Sequence, residues 1–308
     1  MSKKRRGPGA YAAWLGLAGM IWYSQNAPRF MRRWAFEGLL ALAYYGWGSR
    51  LKIALEHLRT AFPDAPPEKL GEIARRSYKN LAAFLTEFCW MPRLTRENVD
   101  ASVRFSGLEI LDEALKRGKG VVLVWAHFDH FEMVNYALAL KGYPVYTLIR
   151  EVDNPMIDSM LNNIRGTSGQ KIILRDGAAS EIIKRLREGA IVTIATDQNA
   201  LFNEVFVKFF GRWASTIKSP AVVHLRTGAP IIPVYSVREA DDSHSAKILP
   251  EIMITPAGSL KRDVALITQK IADVQEKFIS ERPDLWLWLH RRWKIQPDAK
   301  ELEELRTR

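Results

Sequence analysis

The stretch VVLVWAHFDHFEM, residues 121–133, joins an apolar, valine-rich run to a corner carrying His127, Asp129, His130 and Glu132. Residues 121–125 read as a strand and FEMVNYALAL (131–140) as a helix. His127 then stands at the strand's end and Glu132 near the first turn of the helix. Three readings of this corner are open from its residues. A carboxylate that reached back from Glu132 would hold one ring nitrogen of His127 and leave the other to take a proton. A metal ion could draw on His127, Asp129, His130 and Glu132, although the spacing is not HExxH. The third reading is a polar loop with no chemistry. His57, His224, His244 and His290 fall in no paired motif. The single cysteine, Cys89, excludes an internal disulfide and a multi-cysteine zinc site.

Working outward, short apolar runs at 144–149, 171–174, 190–195 and 230–237 also read as strands. Amphipathic segments at 131–141, 154–166, 178–188 and 216–227 lie between most of them. The alternation predicts an α/β fold, a mixed and largely parallel sheet flanked by helices. Chemistry in such sheets collects beyond the carboxyl ends of the strands, where His127 lies. Before the sheet, 50–62 and 68–91 have helical periodicity, broken at PDAPP (63–67). The division expected is an anchor over 1–49 and a catalytic domain over 50–308, with a helical lead-in at 50–92 and an α/β core at 101–294. No GxxxxGK[ST] or GxGxxG loop appears, which argues against a nucleotide-driven activity.

The anchor expectation rests on MSKKRRGPG (1–9), followed by AYAAWLGLAGMIWYS (10–24) and WAFEGLLALAYYGWG (34–48). Neither apolar run reaches the roughly 20 residues that cross a bilayer upright. Trp14, Trp22, Tyr23, Trp34, Tyr44, Tyr45 and Trp47 are residue types enriched at membrane interfaces, and basic clusters flank them. One marginal spanning helix or two interfacial helices is the expected form; two buried core helices are the alternative. Pro28 disfavours a signal-peptide cleavage after Ala27. The 308-residue chain carries 45 Lys and Arg against 34 Asp and Glu, a net charge of +11 that suits an acidic partner. Nucleic acid is disfavoured because no recognisable binding motif is present; anionic lipid and an acidic carrier protein remain.

AHFDHFE, a histidine with an acidic residue five positions on, resembles the signature of the glycerolipid and lysophospholipid acyltransferases. Four further stretches follow in order: YPVYTLIREVDNPMIDSMLNNIRGTSG (143–169), EGAIVTIATDQNA (188–200), VKFFGRWASTIKSPAVVHLRTGAPIIPVYSVRE (207–239) and PDLWLWLHRRWK (283–294). Together they resemble the bacterial lipid A late acyltransferases, the lauroyl and myristoyl transferases. The resemblance implies an O-acyltransferase with a glycerolipid acyltransferase-like fold at the cytoplasmic face of the inner membrane. It would move a fatty acyl chain from an acyl thioester to a hydroxyl of a lipid A precursor or related glycolipid. Acyl carrier protein is the implied donor, with coenzyme A as the alternative carrier and no other cofactor or metal.

Carried over by residue, His127 would be the general base and Glu132 its partner, with Arg150, Asn154, Arg165, Asp197 and Gln198 as substrate contacts. Asp197 as a turn cap and Arg165 as a surface ion-pair residue are the plainer readings. Lys208, Trp213 and Lys218-Ser219 depart from the family pattern and put the acceptor in question, so a phosphatidylinositol mannoside-like lipid or a lysophospholipid is an alternative. A metal-dependent hydrolase is a further one. Cys89, in TEFCWMP, reads as a buried structural thiol rather than a nucleophile. Phe202, Phe206, Phe209 and Phe210 could line an acyl groove, meet a membrane or pack in the core. The aromatic–basic DLWLWLHRRWK reads as a second membrane-contacting patch, with a core strand as the alternative.

Overall fold

The computed structural model describes residues 7–46, 48–201, 204–255 and 258–306. The expectations placed on residues 1–6, Trp47 and Phe202 lie outside them, as do the side chains of Tyr44 and Tyr45. Four helices come first: α1 (Pro8–Asn26), α2 (Arg29–Gly46), α3 (Gly48–Ala61) and α4 (Pro67–Trp90). The alternating part runs α5 (Val99–Ser102), β1 (Val103–Ser106), α6 (Leu108–Lys116), β2 (Val121–Trp125), α7 (Phe131–Leu140), β3 (Val145–Ile149), α8 (Pro155–Gly166), β4 (Lys171–Leu174), α9 (Ala178–Arg187) and β5 (Ile191–Ala195). A hairpin follows, β6 (Glu204–Phe209) and β7 (Arg212–Ile217), then α10 (Ser219–Thr227), β8 (Ile231–Arg238), β9 (His244–Ile248), α11 (Leu260–Glu281) and α12 (Ala299–Arg306).

Seven strands form one sheet in the order β1-β9-β8-β2-β5-β3-β4, and only the β8–β9 pair is antiparallel. VVLVW is central in it and buried along its whole length. Val121, Leu123 and Trp125 point into the core under α6 and α7. Val122 and Val124 point to the opposite face, against α9, α10 and α11. A strand covered on both sides needs apolar residues at every position, and each such side chain contributes about 1.5–3 kcal/mol. Gly120 opens the strand at φ +65, where a Cβ would meet the Ala190 and Leu186 carbonyl oxygens at 2.6 Å, so only glycine lets β2 start this close to α9.

The expected sheet of parallel strands flanked by helices forms, with the five predicted strands in place. The helix expected over 216–227 begins at Ser219, because 212–217 is strand β7 and Pro220 sits in the helix's first turn. Strands β1 and β9, the β6–β7 hairpin and the 22-residue α11 are additions to the expected alternation.

The N-terminal membrane anchor is a correction. Among the described residues, no helix is long and apolar enough to cross a membrane. Gly16, Gly19, Ser24, Gln25 and Asn26 dilute α1, and Arg29, Arg32, Arg33 and Glu37 interrupt α2. Both helices pack on α4 instead, where Phe36 joins Ala82 and Cys89 and the Ser24 hydroxyl donates to the Thr86 carbonyl at 2.8 Å. Burial pushes the Cys89 thiol up to about 12, which leaves it without nucleophilic character at neutral pH. The DLWLWLHRRWK patch is corrected too. Trp286, Trp288 and Trp293 are buried with Phe209 and Phe278, in an irregular segment tied to the sheet by a bridge between Phe128 and Trp286.

Candidate active site

The β2–β5 register sets the site. Trp125 pairs with Ala195, and two residues beyond that pair His127 faces Asp197. The His127 backbone N–H donates to Asp197 Oδ2 at 2.8 Å, and ring Nδ1 lies 2.9 Å from Oδ1. The Trp286 indole N–H donates to Oδ2 as well, at 2.7 Å. Asp197 is 1% exposed. Burial opposes its ionisation, but His127 and the donated hydrogen bonds prevail and hold its pKa at about 2. An ionised Asp197 keeps the proton on Nδ1, so Nε2 carries the free lone pair. Phe131 packs edge-on against the imidazole at 4.9 Å and stacks on Trp125 at 4.2 Å, bracing the ring.

Glu132 does not reach back to His127. Its carboxylate accepts from Arg165, with Nε at 3.1 Å from both oxygens and Nη2 at 2.6 Å from Oε1. The first turn of α7 aims Glu132 across at the last turn of α8, where Arg165 also donates to Asn162. Arg165 is largely buried; desolvation weakens its charge, but Glu132 outweighs that and raises its pKa. The orienting carboxylate is thus Asp197, distant in sequence, and the nearby carboxylate holds an arginine.

A cavity of about 1000 Å³ opens on His127. Glu132, Arg165, Arg150 and Gln198 line it. Phe84, Phe88 and Leu161 form one apolar wall, and Ile182, Ile194 and Val223 another. Asn154 is not among the lining residues. It caps α8 by accepting from Met156 and Ile157 N–H, and its amide donates to the Ala10 carbonyl at 2.8 Å, so its side chain is occupied structurally. Asp197, expected as a substrate contact, is buried behind the imidazole. Trp125, Trp286 and Arg175 also shape the site. Trp286 belongs to a stretch whose sequence read as surface, and only its bond to Asp197 reveals its part.

His130 and Asp129 serve the corner rather than the cavity. His130 caps α7, its Nδ1 accepting from Met133 N–H at 3.1 Å, and complete burial pulls its pKa down to about 3. Asp129 turns the chain at φ 45 and accepts from Ser236 and from His244 Nδ1, the latter at 2.7 Å. His244 Nε2 lies 3.0 Å from Glu87, which also binds Arg238 through two hydrogen bonds. Among the described residues, no group of three or more His, Cys, Asp or Glu is arranged to hold a metal ion.

With a carboxylate at each nitrogen, His244 is doubly protonated. Burial lowers its pKa, but Asp129 and Glu87 prevail and raise it from 6.5 to about 9. A raised folded-state pKa stabilises the fold fully below about pH 6.5, and that stabilisation is lost as pH rises through about 9. The loss expected is on the order of 3 kcal/mol. Urea midpoints should fall over that window, and His244→Gln should flatten the fall. An unchanged slope in the variant would remove His244 as its source.

A family model described as bacterial lipid A biosynthesis acyltransferase matches residues 1–295. The lipid A biosynthesis lauroyltransferase of Escherichia coli is 26% identical over 301 residues, covering 95% of this chain and 94% of that protein. The lipid A biosynthesis myristoyltransferase of the same organism is 22% identical, covering 93% and 88%. The phosphatidylinositol mannoside acyltransferase of Mycobacterium tuberculosis is 24% identical, covering 97% and 92%. A match running from the N-terminal helices through the His127 corner to the C-terminal tryptophans assigns this chain to the bacterial lipid A biosynthesis acyltransferase family.

Proposed function

We propose that this acyltransferase moves a fatty acyl chain from an acyl thioester to a hydroxyl of a lipid A precursor or a related glycolipid. The observation that carries the reading is the His127–Asp197 pair opening on a large cavity with apolar walls. Nε2 of His127 takes the proton of the acceptor hydroxyl, whose oxygen attacks the thioester carbonyl carbon. The tetrahedral intermediate collapses, the C–S bond breaks and the carrier thiolate leaves with the electron pair, to be protonated by the imidazolium. Asp197 stabilises that imidazolium without taking its proton. Arg165, on the cavity wall, offers its guanidinium to an anionic group of either substrate. The lipid A-named relatives support the acceptor class, and the mycobacterial relative keeps a mannosylated acceptor as the second reading.

Acyl carrier protein is the proposed donor, since an acidic carrier complements the +11 charge. Purified protein with acyl–acyl carrier protein and a lipid A precursor should yield the acylated lipid by mass spectrometry, faster than with acyl-coenzyme A. Turnover of the precursor with neither thioester would reject the reading.

The proposed setting is the cytoplasmic face of the inner membrane, whose anionic headgroups suit a chain of net charge +11.

A further inference from the structure

Arg292 is the largest charged side chain in the core. It is 1% exposed and does not line the cavity. Its Nη1 donates to the Ser215 carbonyl at 2.7 Å and the Gln198 carbonyl at 3.2 Å, and its Nη2 to Thr216 Oγ1 at 2.6 Å. The guanidinium lies 5.0 Å over the Phe209 ring. Among the described residues, no carboxylate lies within ion-pair distance of it, and its Nε has no partner. Desolvation lowers its pKa to about 10 against the attraction of Asp197, so it is a cation at neutral pH. A buried cation without a paired carboxylate is an unfavourable placement that packing does not require.

One of these contacts, the Gln198 carbonyl, lies in the segment after Asp197; the others lie on the β6–β7 hairpin. Further bonds hold the same segment to β7 and to the C-terminal stretch. Ala200 N–H donates to the Ser215 carbonyl, the Ser215 hydroxyl donates to the Ala200 carbonyl, and Ile295 N–H donates to Asn199 Oδ1. Among the described residues, no group accepts from the Asn199 N–H, nor from those of Asp197 and Gln198. In a planar trans peptide the N–H points opposite to the preceding C=O. With the Gln198 carbonyl held on Arg292, the Asn199 N–H is turned away from the core. Gln198, Asn199 and His127 line one cavity.

We propose that Arg292 is a positioning residue, which orients the Gln198–Asn199 peptide so that the Asn199 N–H stabilises the oxyanion of acyl transfer. The inference rests on the acyl-transfer reading and names a donor that reading lacks. As the acceptor oxygen bonds to the carbonyl carbon, the C=O π pair becomes an oxyanion lone pair facing this N–H. When the C–S bond breaks, the carbonyl re-forms and the hydrogen bond weakens. A donor aimed in advance at developing charge favours the transition state over the bound substrate.

The direct test replaces the 198–199 peptide by an ester. Lactic acid placed at position 199 by nonsense suppression is compared with Asn199→Ala, so that only the N–H differs. Expected is a kcat about 100-fold lower, with KM for acyl–acyl carrier protein unchanged. Arg292→Met should show the same split, and Arg292→Lys should recover part of kcat, with folding followed by thermal midpoint. Should Arg292→Met fail to fold, the ester still decides, because it leaves Arg292 in place. An ester protein that turns over like Asn199→Ala overturns the proposal, as does a raised KM at constant kcat. His127→Ala separates the two levels. Inactive His127→Ala beside a normal ester protein removes only this inference, whereas an active His127→Ala removes the acyl-transfer mechanism beneath it.

Discussion

Asp197→Asn is expected to lower kcat about 10,000-fold, as far as His127→Ala or further, while the protein still folds. The reason lies in the three donors around the carboxylate. Oδ2 accepts from both the His127 backbone N–H and the Trp286 indole N–H, whereas Oδ1 faces only ring Nδ1. An asparagine there must put its oxygen where two donors converge, which leaves its NH₂ facing Nδ1. That ring nitrogen then becomes the acceptor, and the proton moves to Nε2. The variant keeps its hydrogen bonds and its shape, but Nε2 no longer has a lone pair for the acceptor hydroxyl. Steady-state rates on the acyl thioester, set beside thermal midpoints within a few degrees of wild type, would show the effect. Near-wild-type turnover in Asp197→Asn would mean that the pair does not run the reaction.

The central sheet was legible because parallel strands covered on both faces are largely apolar, as 121–125, 145–149 and 191–195 are apart from Thr147 and Thr193, which hydrogen-bond to each other across the strands. Strands at the sheet's flank are less constrained. VRFS in the edge strand β1 and HSAKI in its neighbour β9 are too polar to stand out. His127 was recognisable from its place at a strand end, and so was Asp197, but nothing in the chain says that β2 and β5 are neighbours. A search for a carboxylate near His127 in sequence finds Glu132; the register of two strands finds Asp197. The N-terminal helices show the same limit. Tryptophans and arginines around an apolar run have one composition whether they pack on lipid or on α4, and Phe36 and Ser24, turned inward, decide for α4. Arg292 was visible as part of a basic cluster, yet its burial depends on β7 and the turn after β5 closing around it.

Glu132→Ala is expected to act first on stability, which separates its role from that of Asp197. The Glu132 and Arg165 side chains are 8% and 12% exposed, and removing one partner leaves the other charge buried and unpaired. Such a loss costs about 3–5 kcal/mol, a fall on the order of 10 °C in Tm for a chain of this size. Arg165→Met alone should destabilise similarly. Glu132→Ala with Arg165→Met removes both charges, and the double variant should be more stable than the sum of the two losses predicts, with a coupling energy of at least about 2 kcal/mol. Activity should not return, because Arg165 lines the cavity and its guanidinium would be gone. An orienting carboxylate for His127 would behave in the opposite way: Glu132→Ala would keep its Tm and lose turnover completely. Thermal midpoints and rates for the three variants therefore distinguish an arginine clamp at the cavity wall from a catalytic partner, and a stable but inactive Glu132→Ala would return that part to Glu132.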